Sequence, residues 1–126
     1  MRIMKLLALA SLTLLGITTG ASEIPKATRV LACNLNALTP AQRTRHAAMT
    51  ERLLKIAVRT DLKDGYRFTF ADKAVSAPDL AEWVADEARC CPAIDFHLEL
   101  PATGPRTLQL DGGADVKAFL AAELGL

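Results

Sequence analysis

The stretch that most constrains the fold is "SAPDLAEWVADEARCCP", Ser76 to Pro92. Ser76 is a natural N-cap, and Asp79 three residues on has the spacing of a capping box. Leu80, Val84, Glu87, Ala88 and Cys91 recur at helical spacing, with Trp83 at the edge of the stripe. Pro92 has no backbone N–H to continue the ladder and ends the helix. A helix with one apolar stripe must bury it against another layer.

The neighbouring segments supply that layer. "YRFTFA" alternates Tyr66, Phe68 and Phe70 with Arg67 and Thr69, the period of a half-buried strand. "FHLEL" puts Phe96, Leu98 and Leu100 on one face, and "TLQL" is a further short strand after the "PATGPR" turn. Upstream, "TPAQRTRHAAMTERLLKIAVRT" predicts a helix with Thr39 as N-cap and Pro40 at its first position. Its stripe is His46, Met49, Leu53, Ile56 and Ala57. Asp64-Gly65 marks a turn. "ADVKAFLAAELGL" closes the chain as an amphipathic helix with Val116, Phe119, Leu120 and Leu124 inward. The expected order is α-β-α-β-β-α. The expected fold is α+β, a two-layer sandwich in which helices cover a small, mainly antiparallel, three-stranded sheet. The β-α-β segment either makes one strand pair parallel or leaves a gap for the third strand.

The start of the chain bears on compartment. Arg2 and Lys5 precede an uncharged run from Leu6 to Ile17, and small residues follow at Thr19 and Ala21. That is the pattern of a signal peptide cut after Ala21. About twelve apolar residues are too few to span roughly 30 Å of hydrocarbon. "VLAC" ending at Cys33 has the look of a lipobox, but Glu23, Lys26 and Arg29 separate it from the apolar run. The expected organisation is therefore a signal peptide over 1–21, an irregular segment over 22–38 and one α+β domain over 39–126. The expected location is periplasmic or secreted, with no stable membrane insertion after cleavage. Residues 1–21 hold two of the fifteen basic residues and none of the fourteen acidic ones, which leaves the remainder near −1. No basic footprint for nucleic acid remains.

The three cysteines are the chemical signal. In an oxidising compartment Cys33 would pair with Cys90 or Cys91. Closing nearly sixty residues would be worth roughly 4 kcal/mol and would leave one odd thiol. At 100° per residue, Glu87 and Cys91 both lie near the centre of the second helix's stripe, and Cys90 points toward the Trp83 side. A carboxylate in an apolar stripe either finds a buried partner or rolls to the edge and reaches water. His46 poses the same choice on the first helix, between a hydrogen-bonded core residue and one that supports a ligand from behind. His97, with Asp95 and Glu99, is expected on the solvated face.

Thiolates are soft donors that select Cu(I), Zn(II) and, by the same softness, Hg(II). The candidate metal set is Cys33, Cys90, Cys91 and Glu87, with His46 behind it; the same three cysteines could instead sense thiol redox state. Adjacent thiols on a regular helix do not easily both face one ion, so Cys33 with Cys91, or a frayed helix end with all three, would do better. The alternative is a disulfide-stapled structural or interaction module without catalysis. A third reading makes Cys90 or Cys91 a nucleophile with Glu87 as acid/base. The helix C-terminus disfavours a thiolate there, and Arg89 is the cation that would offset it. The sequence has no GxSxG, Gly-rich phosphate loop or HExxH. "DGGAD" at Asp111 to Asp115 is what a turn into a helix requires.

"CNLNALTPAQRTRH", "DGYRFTF", "LAEWVADEARCCPAIDFHLEL" and "GADVKAFLAAEL" together resemble a small family of uncharacterised bacterial proteins. Its hallmark is a helix ending in E-x-x-C-C-x-x-x-x-F, here Glu87, Cys90, Cys91 and Phe96. The resemblance runs from Cys33 to the C-terminus. It implies an association with metal- and mercury-resistance gene neighbourhoods, and soft-metal binding through Cys33, Glu87, Cys90 and Cys91. The signal-like start departs from that family, and export invites disulfides.

Overall fold

Thr39 and Gln42 start the first helix by satisfying each other's backbone. The Gln42 N–H donates to Thr39 Oγ1 at 3.2 Å, and the Thr39 N–H donates to Gln42 Oε1 at 2.9 Å. Pro40 follows at the first helical position, and α1 runs over Pro40–Ile56. These features belong to a computed structural model that describes Gly16, Gly20 and residues 29–126. The expected signal peptide over 1–21 lies outside the described residues apart from those two glycines. Among the described residues, no helix is long and apolar enough to cross a membrane.

The expected first helix ran on to Thr60, and here the structure corrects the reading. Ala57 turns extended at φ −78°, ψ 146°, and β1 follows over Val58–Asp61. Val58 and Thr60 are β-branched and suit a strand. Every residue of β1 is exposed, so no burial pattern advertised it. The Asp64-Gly65 turn therefore joins two strands, β1 and β2 (Gly65–Phe70), with the Leu62 N–H donating to the Gly65 carbonyl at 2.9 Å. Glycine is needed at 65 because a Cβ there would overlap the Leu110 carbonyl oxygen and sit 2.8 Å from Asp111 Cα.

The second helix, α2, spans Ala77–Cys90. Ser76 Oγ accepts from the Asp79 N–H at 3.1 Å. The Asp79 carboxylate turns instead toward Arg52, at 3.8 Å, so only one half of the expected capping box forms. Cys91 caps the helix at φ −122°, ψ 82°, as a residue before proline must leave the α region. Strands β3 (Asp95–Glu99) and β4 (Arg106–Asp111) follow, then α3 (Ala114–Leu124).

Among the described residues the sheet has four strands, not three, in the order β1-β2-β4-β3, and every neighbouring pair is antiparallel. The element order is α-β-β-α-β-β-α. The crossover through α2 thus leaves a gap between β2 and β3, and β4 fills it. Phe68 pairs with Leu108, Tyr66 with Leu110, and Phe96 with Leu110 from the other side. Those side chains share one face, where Leu53 of α1, Leu80 and Trp83 of α2, and Val116 and Leu120 of α3 complete the core. Each large apolar side chain buried there contributes about 1.5–3 kcal/mol. Leu100 falls just past β3 and is half-exposed, so it adds little to that face.

The opposite face is polar. Arg67 donates to Gln109 at 2.9 Å, Gln109 donates to Asp111 at 2.6 Å, and the exposed His97 lies 3.2 Å from Asp111. At the β1 edge, Arg59 and Asp61 share a face with Phe68 and Tyr66 and pair with each other at 3.5 Å. Charges on an edge strand discourage pairing with another chain.

Candidate thiol site

Helix α2 places Glu87 and Cys91 one turn apart on one face, as the helical wheel requires. The Cys91 N–H donates to the Glu87 carbonyl at 2.8 Å, so the cysteine is held although it has left the helix. Cys33 arrives from the irregular segment before α1. Hydrogen bonds with both helices dock that segment, and one within it shapes its turn. The Asn34 N–H donates to the Cys90 carbonyl at 2.8 Å. Asn34 Oδ1 caps the single turn Leu35–Ala37 by accepting from the Asn36 N–H. Arg43 of α1 donates to the Leu38 carbonyl at 2.9 Å and reaches that of Leu35 at 3.3 Å.

Cys33 and Cys91 form a disulfide, with Cα atoms 4.5 Å apart and a sequence separation of 58. Of the two pairings open to Cys33, the structure selects the cysteine that shares Glu87's face. Cys91 is 1% exposed, whereas Cys33 is only partly buried.

Glu87 does not roll out to water. It is 8% exposed, and both of its carboxylate oxygens are engaged. Oε2 meets His46 Nε2 of α1 in a short hydrogen bond. Oε1 lies 3.2 Å from Cys91 Sγ. A disulfide sulfur has no hydrogen to donate, so this is a close contact in the oxidised state. A Cys91 S–H, were the bond reduced, would have that oxygen in reach as an acceptor. Ligand atoms of Cys33, Glu87 and Cys91 all fall within 4.8 Å of one another.

His46 is 7% exposed and fixed from three sides. Its ring stacks on Trp83 with centroids 5.3 Å apart and planes 18° apart. Trp83 Nε1 donates to Thr50 Oγ1 at 2.8 Å, and Thr50 Oγ1 donates to the His46 carbonyl at 2.8 Å. Among the described residues, Nδ1 has no hydrogen-bond partner. Glu87 is thus the anchor of the imidazole, as the imidazole is of Glu87.

Cys90 stands apart from this cluster. It is free and as buried as Cys91, at 1% exposure, but its sulfur is not among the converging ligand atoms. Burial, then the charges of Glu87 and Asp86, push its thiol above the ordinary range, while Arg89 works the other way. Asp86 is itself buried and held by Arg89 at 2.6 Å and Arg45 at 3.8 Å.

An open cleft of about 480 Å³ lies over the disulfide. Cys33, Cys90, Cys91, Glu87 and His46 form its floor and wall, with Leu35, Arg43, Ala47, Leu54, Glu51, Glu123 and Leu124 around them. Four of the five residues singled out in sequence therefore meet through direct contacts, and Cys90 lines the same cleft from outside the cluster. Thr50 and Arg43, which brace the site, gave no signal in sequence beyond their place on α1. No protein-family model matches the chain, and neither does any curated protein or solved structure.

Proposed function

We propose that this is a small exported thiol protein whose Cys33–Cys91 pair, once reduced, binds one soft metal ion such as Hg(II), Cu(I) or Zn(II). The observation that carries the reading is the convergence of two sulfurs and a buried carboxylate oxygen within 4.8 Å. A staple alone has no use for that carboxylate. Burying an ionised group costs several kcal/mol unless a partner offsets it, yet the fold gives Glu87 a dedicated buried histidine. Two thiolates select a soft ion, and an oxygen beside them suits a third position. His46 would set the carboxylate's orientation from behind. The signal-like start and the resemblance to proteins of metal- and mercury-resistance neighbourhoods support export and a heavy-metal context. The disulfide is then the oxidised resting form, and thiol redox state decides whether the ion binds.

The competing reading is a disulfide-stapled module, favoured by the long loop that the bond closes. The two separate on titrating reduced Cys90→Ser protein, freed of reductant, with Hg(II). Metal binding predicts a thiolate-to-metal absorption band that saturates at one ion per chain and is lost in a further Cys33→Ser substitution. A staple predicts the same weak response with or without Cys33.

A further inference from the structure

We infer that the Cys33–Cys91 bond is a polarised thiol–disulfide exchange centre, in which a low-molecular-weight thiol enters the cleft and attacks Cys33, and Cys91 is the sulfur that leaves. The inference rests on the reading that this pair opens and closes, and it adds a reaction, a direction and a substrate class.

Exchange depends on which sulfur the incoming thiol can reach, and attack follows the line of the S–S bond from the side away from the leaving sulfur. The two sulfurs differ in that respect. Cys33 sits on an irregular segment, is partly buried and lines the cleft. Cys91 is 1% exposed at the end of α2, with Glu87 Oε1 at 3.2 Å. A thiolate approaching Cys91 would have to pass through the side chains that leave it 1% exposed. A Glu87 oxygen lies within 4.8 Å of both sulfurs and Glu87 lines the same cleft, so what separates the two is exposure: Cys33 is the sulfur that is only partly covered. The cleft, about 480 Å³, is of a size that holds small molecules.

The chemistry balances without any further reactant. The thiol R–SH attacks Cys33, a new R–S–S–Cys33 bond forms and the Cys33–Cys91 bond breaks. The proton lost by R–SH ends on the Cys91 sulfur, and the resulting S–H has Glu87 Oε1 as its hydrogen-bond acceptor. A second R–SH attacks the R sulfur of the mixed disulfide and releases R–S–S–R and the Cys33 thiol. Two thiols are oxidised and one protein disulfide is reduced. Run in reverse, a small disulfide reoxidises the pair through the same adduct on Cys33.

The test uses wild-type, metal-free protein and glutathione as the probe. The mixture is quenched in acid, free thiols are alkylated, and fragment-ion mapping separates Cys90 from Cys91. The expected result is glutathione on Cys33, at least about tenfold over Cys91, with an alkylated Cys91 in the same molecules. An adduct on Cys91, or an even split, overturns the polarity. Reduction that proceeds only after denaturant is added overturns the exchange itself. As a second arm, Cys91→Ser protein exposed to glutathione disulfide accumulates the adduct on Cys33, and Cys33→Ser protein reacts at Cys91 far more slowly. Should either variant fail to fold, the wild-type map decides alone. No metal is present, so failure of the reduced protein to bind an ion leaves this result standing, and ion binding with an adduct on Cys91 defeats only this inference.

Discussion

Reducing the Cys33–Cys91 bond should cost a large share of the stability a domain of this size has to spare. The bond spans 58 residues, and joining chain ends that far apart removes about 4 kcal/mol of loop entropy from the unfolded chain. Small domains are stable by only about 5–15 kcal/mol in total. Urea unfolding with and without dithiothreitol measures the difference. At roughly 1–3 kcal/mol per molar, the midpoint should fall by about 1.3–4 M on reduction. Cys33→Ser, in the absence of reductant, should reproduce that fall. The damage should begin locally. The Asn34 N–H bond to the Cys90 carbonyl holds the docked segment beside the disulfide, so its amide should be among the first to lose hydrogen-exchange protection. A loss below about 1 kcal/mol would refute the argument, because the unfolded chain would then gain little freedom from opening the loop.

Three further outcomes follow from other residues. Glu87→Ala should destabilise the fold by about 3 kcal/mol in urea, since it strands a buried imidazole whose Nδ1 already lacks a partner among the described residues. Glu87→Gln keeps a polar atom in place and should cost only about 1 kcal/mol, and equal losses for the two would contradict the pairing. Gly65→Ala should cost about 2–3 kcal/mol, because its Cβ meets the backbone of β4 rather than a movable side chain; a neutral result would mean the hairpin is not held that tightly. Cys90 gives a pH signature. Its thiol is raised, chiefly by burial and then by Glu87 and Asp86, so the folded protein holds that proton more tightly than the unfolded chain. The resulting stability is complete below the ordinary thiol range near 9.0 and is lost as pH rises through the higher folded value. Unfolding followed up to alkaline pH should show a downward slope in wild type that flattens in Cys90→Ala; identical slopes would contradict it.

Much of the fold was legible because burial writes a period into the sequence. Tyr66, Phe68 and Phe70 alternate because β2 is covered on one face, and Val116 and Leu120 recur at helical spacing because α3 is. The missing strand shows the limit of that signal. Val58–Asp61 is an edge strand with no buried side chain, so it carries no period to read and merged with the helix before it. The site divides in the same way. Glu87 and Cys91 share a helix, and their spacing alone placed them together. The choice of Cys91 over Cys90 for Cys33, and the pairing of His46 with Glu87, join segments 58 and 41 residues apart. Such contacts are set by how α1 and the docked segment pack on α2, which no local spacing records. Cys90 is the instructive case. Its adjacency to Cys91 suggested a shared role, but a one-residue step around the helix end sends its sulfur away from the cluster.

The central claim is that Cys33 and Cys91, and not Cys90, hold a soft ion beside Glu87. The direct measurement is differential alkylation of the fully reduced wild-type protein, with and without one equivalent of Hg(II), read residue by residue by mass. The account predicts that the ion protects Cys33 and Cys91 together and leaves the labelling of Cys90 unchanged. Protection of Cys90 with Cys91 and not Cys33, or of no cysteine at all, would contradict it.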